Sequence, residues 1–215
     1  MKNNINNKIK NIGILWEGEL RGGVDTYLYN LINTESFSKI NIVIFTNKNN
    51  LGAQALSKNL GEKKVSFVYF SSINQFTAKN IFFKILLFLL KPLLFFISIF
   101  QFYFILRNYK FDVFMGQCGG YGDFRSEMAG MFIAKFLEFP IRTLVIHHAC
   151  GKPIFWNTLL NLTNNLLSKI LTSVISVSKA TRDSVFYKSN LLDRSSNLQD
   201  VTIYNGISVN QKVED

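Results

Sequence analysis

Cysteine, proline and histidine are scarce in this 215-residue chain, with two, three and two of each. Cys118 and Cys150 cannot build a disulfide framework, and no Cys/His spacing suits zinc, so no staple of either kind is expected. None is needed, because a chain of this length removes roughly 70% of its unfolded surface on folding. No signal-peptide pattern precedes the first apolar run, which together with the low thiol count leads us to expect a reducing, cytosolic compartment. With 48% hydrophobic and 18% charged residues, disordered, collagen-like and low-complexity chains are excluded.

Acidic residues are missing altogether between Glu62 and Asp112. Lys63, Lys64, Lys79, Lys84, Lys91, Arg107 and Lys110 bracket or interrupt the run IFFKILLFLLKPLLFFISIFQFYFIL in that interval. The formal net charge of +10 points to an anionic partner, and its coincidence with bulk apolar surface favours an anionic membrane over nucleic acid. A nucleic-acid site intersperses basic residues with polar ones and a few stacking aromatics, and no nucleic-acid recognition motif is present. A full span is not favoured: the longest uncharged stretch of that run, Pro92 to Leu106, is 15 residues, short of the roughly 20 required. The expectation is two helices broken at Lys91-Pro92 and lying in the membrane interface. A buried core pair and a true span or hairpin anchor are the alternatives.

Short apolar runs alternate with longer helical patterns, the signature of βαβ units. Strands are expected at 11–16, 40–46, 65–70, 111–117, 142–147, 173–178 and 201–204, with helices beginning near Gly23, Gly52, Thr77, Asp123, Pro153 and Lys179. The expected fold is a Rossmann-like, doubly wound parallel sheet of about seven strands with helices on both faces. It would occupy residues 1–205, with the apolar basic segment at 77–108.

In such a sheet the ligand lies beyond the carboxyl ends of the strands. There the chain reads EGELRGGVD, CGGYGD, HHACGKP, SKATRD and NGIS in turn. Gly22-Gly23 opens a helix with no Cβ in the way of an anion, although a tight turn would use the same pair. Arg21 adds a cation beside it. His147 ends the strand TLVIH, where a neutral imidazole can bond a sugar hydroxyl; a structural histidine is the plainer alternative, and His148 points the other way. Gly119, Gly120 and Tyr121 form either a ligand loop or a flexible turn. Ser178 reads as a helix N-cap, with Arg182 one turn in. Glu17, Glu19 and Asp25 gather near the first loop without identifying an acid/base couple.

The ordered pieces NIGILWEGELRGGVDTYLYNLI, FDVFMGQCGG, FPIRTLVIHHACG, SVISVSKATRDSV and VTIYNGIS resemble the amino-terminal half of glycosyltransferase family 4, the retaining GT-B transferases. That resemblance implies two Rossmann-like domains facing across a cleft, the first holding the acceptor and the second a nucleotide sugar. Gly22 and Gly23 match the loop that approaches the donor diphosphate and the acceptor, and His147 matches the histidine that touches the transferred sugar. Asn205 and Gly206 match the turn into the second domain. The family needs no cofactor or metal, because helix dipoles and basic residues stabilise the leaving diphosphate. Asp25 stands where the family usually carries Glu. The donor-binding half would begin about where this sequence stops, with 206–215 as the start of a linker, so the chain alone is expected not to turn over.

The partners so implied are a nucleotide sugar through the missing half, a lipid-linked saccharide acceptor and an anionic membrane surface, with the protein peripheral at the inner face of the cell membrane. A non-catalytic, membrane-associated scaffold module is the competing expectation.

Overall fold

The alternation of apolar runs and helical patterns closes into one seven-stranded sheet whose strands all run parallel. The computed structural model describes residues 9–18, 22–60, 65–73, 80–119, 126–149, 157–189 and 198–204, with the backbone alone at 81–84, 157–161 and 186–189. The strands are β1 (Asn11–Trp16), β2 (Asn41–Asn47), β3 (Val65–Phe70), β4 (Val113–Cys118), β5 (Ile141–Ile146), β6 (Ser173–Ser176) and β7 (Gln199–Thr202). The helices are α1 (Gly23–Ile32), α2 (Leu51–Leu60), α3 (Ile81–Leu106), α4 (Ser126–Phe136), α5 (Asn157–Ile170) and α6 (Lys179–Ser189). All seven expected strands are present, most displaced by one or two residues. The expected linker at 206–215 lies outside the described residues.

Strand order is β3-β2-β1-β4-β5-β6-β7, so the winding reverses between β1 and β4. Register places Asn11 beside Asn41 on one side of β1 and Ile12 beside Val113 on the other. The period of two along each strand divides the core. Ile12, Ile14 and Trp16 face Leu28, Ile32, Ala53 and Leu56 of α1 and α2. Leu15, Phe114, Leu144 and Ile146 face the opposite layer, built from Phe95 and Phe102 of α3, Met128 and Met131 of α4 and Leu167 of α5. Both faces are therefore covered, which is why the central strands read as nearly continuous hydrophobic runs.

One expectation is corrected. Residues 81–106 form a single continuous helix, unbroken at Lys91-Pro92. Proline removes one N–H and its ring crowds the preceding turn, but a long helix absorbs one such defect as a bend. Its 22-residue apolar stretch Ile85–Leu106 is long and greasy enough to cross a membrane, and of it Phe95, Ser98, Phe102 and Leu106 are buried in the protein.

Candidate functional site

The carboxyl ends of β1 and β4, where the sheet reverses, bring two polar clusters to opposite sides of the sheet. On the α1 side, α1 starts at Gly23 directly beyond the β1 loop. Gly22 and Gly23 are exposed, and a Cβ on either would meet nothing within 4 Å. Packing therefore does not require glycine at these positions. Gly22 N–H donates to Asp25 Oδ1 at 3.1 Å, so this carboxylate sits in the first turn and complements the helix dipole. An incoming anion would compete with it.

His147 follows β5 and extends the ladder, its N–H donating to the Cys118 carbonyl at 3.0 Å. Its ring is 9% exposed and lies edge-on to Tyr27, with centroids 5.1 Å apart. Its Nε2 lies 2.9 Å from Gln117 Oε1. In this orientation the imidazole carries its proton on Nε2 and keeps Nδ1 as the acceptor. Burial, reinforced by the neighbouring His148, lowers its pKa to about 4, so the ring is neutral at physiological pH.

Gln117, 1% exposed, has no partner for its Nε2 among the described residues. It escaped the sequence reading, although a lone amide in the strand VFMGQC was the available signal. A buried donor left unpaired costs free energy, and a ligand oxygen would relieve that cost.

On the α4 side, Glu17 emerges from β1 and Glu127 from the first turn of α4, 5% and 4% exposed. Glu17 N–H donates to Glu127 Oε1 at 3.3 Å, and the Ser72 hydroxyl donates to Glu17 Oε1. Ser126 also bonds the Glu17 carboxyl, from both its side chain and its backbone. Desolvation, and then the charge of Glu127, raise the Glu17 pKa to about 7. This couple spans 110 positions of sequence. No local spacing could have revealed it.

The remaining candidates separate. Arg182 is engaged by Asp200, which ties α6 to β7 rather than leaving a cation facing the crevice. Ser178 caps α6 as expected, its hydroxyl accepting from Thr181 N–H at 3.1 Å. Gly119 lies half-buried at the end of β4 and His148 is exposed. Arg21, Gly120, Tyr121, Asn205 and Gly206 lie outside the described residues, as do Glu19 and Cys150. Cys118 is buried.

No protein-family model matches the chain, and no curated protein matches it. Among solved structures it is similar to MurG from Acinetobacter baumannii, with a TM-score of 0.51 and 16% identity over 94% of this chain. UDP-N-acetylglucosamine 2-epimerase from Rickettsia bellii gives a TM-score of 0.49 at 10% identity, covering 90% of this chain and 44% of the other. The likeness to MurG shows the fold. It is the Rossmann-like, all-parallel arrangement expected from the sequence, and it matches GT-B proteins. The chain spans about half of the solved MurG chain, 47% of its length.

Chemically, the α1 side offers a helix N-terminus open to anions, a neutral imidazole and an unpaired amide donor. The α4 side offers a carboxyl group that holds a proton close to neutrality, in the range useful for acid/base work. Among the described residues, no three His, Cys, Asp or Glu side chains gather as a metal cage.

Proposed function

We propose that this chain is the acceptor-side half of a retaining, family 4-like GT-B glycosyltransferase. It would act on a lipid-linked saccharide at the cytoplasmic face of the membrane and take its sugar from a nucleotide donor held by a second half. The observation that carries the reading is the pairing of the open Gly22-Gly23 helix start with neutral, buried His147 at the carboxyl edge of the sheet, in a chain that spans about half of the solved MurG chain. His147 Nδ1, as an acceptor, and Gln117 Nε2, as a donor, suit a sugar hydroxyl, while the α1 N-terminus suits a diphosphate. In this reading Asn205 and Gly206 lead toward the donor half, and Gly119, Gly120 and Tyr121 border the acceptor. Transfer requires acceptor and donor to be held in one geometry, so one wall of the cleft binds but does not turn over. No metal or cofactor enters the proposal.

The test is binding and turnover by the purified chain. A polyprenyl diphosphate-linked saccharide should bind and lose affinity in Gly23→Ala and His147→Asn, while no nucleotide sugar is consumed. Turnover above that of His147→Ala would overturn the half-enzyme reading. Binding to vesicles without saccharide recognition, unchanged in both variants, would replace it with the scaffold reading.

A further inference from the structure

The burial pattern of α3 divides it in two. From residue 95 onward one stripe is buried: Phe95, Ser98, Phe102 and Leu106, at spacings of three and four residues. Phe95 meets Phe132 of α4 with centroids 6.2 Å apart, Phe102 meets Phe70 at 5.3 Å, and Gln101 Nε2 donates to the Ser71 carbonyl at 2.7 Å. This half is docked on the sheet layer. Residues 85–94, reading ILLFLLKPLL, include no buried residue at all. Leu87, Lys91, Pro92 and Leu94 are half-buried on the side that continues the docked stripe, the other six positions are exposed apolar side chains, and Lys91 lays its ammonium against the Phe88 ring, 5.7 Å from the centroid.

That pattern excludes three arrangements. A helix lying flat in the interface needs a polar face toward water, and 85–94 has no such face. A spanning helix would need the docked half to leave the protein and would separate β3 from β4, which belong to one sheet. A core helix would be covered. Ten residues of α-helix measure about 15 Å, half the roughly 30 Å hydrocarbon core.

We infer that the exposed apolar side chains of residues 85–94 of α3 insert into one leaflet of an anionic bilayer, while the docked half stays with the domain. Lipid is the occupant because the interval from Glu62 to Asp112 holds no acidic residue, and Lys84, Lys91, Arg107 and Lys110 supply the positive charge that anionic headgroups attract. Lys91 reaches the headgroup level by its flexible stem. The inference goes beyond a surface contact and does not depend on the glycosyltransferase reading, so loss of saccharide recognition leaves it standing.

The experiment uses the full chain with phosphatidylcholine vesicles, with and without phosphatidylglycerol, brominated at shallow or deep acyl positions. Tryptophan fluorescence is read for Phe88→Trp and Phe104→Trp against the parent. The Phe88→Trp signal should be quenched most by deep bromines, and the Phe104→Trp signal by shallow ones or by none. Leu89→Asp, at an exposed position, should lower partition roughly 100-fold with thermal unfolding unchanged. Phosphatidylglycerol should raise the partition of the parent. Equal quenching depth at both positions would overturn the inference in favour of a flat helix. Unchanged partition of Leu89→Asp would also overturn it, as would self-association in solution that Leu89→Asp abolishes without any vesicle binding.

Discussion

The backbone N–H of Glu17 donates to Oε1 of Glu127 across 3.3 Å, joining the end of β1 to the first turn of α4 where the sheet reverses. Both carboxyls are buried, and desolvation followed by the charge of Glu127 raises the Glu17 pKa from 4.5 to about 7. Below the lower value, folded and unfolded chains both hold the proton. Between the two values the unfolded chain releases it and the folded chain keeps it, so this group's contribution to stability falls as pH rises. Glu17→Gln should remove that fall. Urea unfolding should show the variant unchanged near pH 4 and more stable near pH 8 by up to about 3 kcal/mol. Parallel pH profiles for parent and variant would contradict this.

His147 titrates in the opposite sense. Burial, then His148, lowers its pKa from 6.5 to about 4, so on acidification the unfolded chain takes up a proton that the folded chain refuses. Its contribution to stability is therefore lost as pH falls across that window. The two trends oppose each other in the parent between pH 4.5 and 6.5. Glu17→Gln should expose a decline toward acid, and His147→Asn a decline toward alkali. Stability curves measured on both variants check the pair, because a purely structural loss at either site would lower stability equally at every pH.

Much of the fold was legible because apolar alternation is a local signal. NIGILW and VFMGQC announce buried parallel strands, and Ser178 announces the start of α6. Lys91-Pro92 reads as a break but lies inside a continuous helix, because the proline penalty is local whereas the cohesion of a 26-residue helix is not. His147 could be placed at an edge by its strand. Its partner Gln117, and the meeting of Glu17 with Glu127, depend on which strands become neighbours, and strand order is carried by no short window of sequence.

Gly13, inside β1, and the two glycines that open α1 should behave in opposite ways. A Cβ on Gly13 would stand 2.8 Å from the rings of Phe111 and Phe114, both buried among Phe45 and Phe139. Those rings have little room to yield, so Gly13→Ala should destabilise the chain by about 1–3 kcal/mol. A fall in the urea midpoint with an unchanged slope checks this, since the denatured state is not expected to change.

Gly22 and Gly23 have no such neighbours, and the backbone at Gly22 is extended, with φ of −175°, a conformation open to any residue. Alanine at either position should leave stability within about 0.5 kcal/mol of the parent. If this helix start approaches a diphosphate, however, each added Cβ stands between the anion and the backbone N–H groups. Losing one charge-assisted hydrogen bond should weaken affinity by about tenfold or more. Calorimetric titration of the whole chain with a polyprenyl diphosphate saccharide, run beside thermal unfolding, separates the possibilities. Weaker binding at unchanged stability places the phosphate at α1. Unchanged binding moves the ligand elsewhere, and lost stability would make the glycines structural after all.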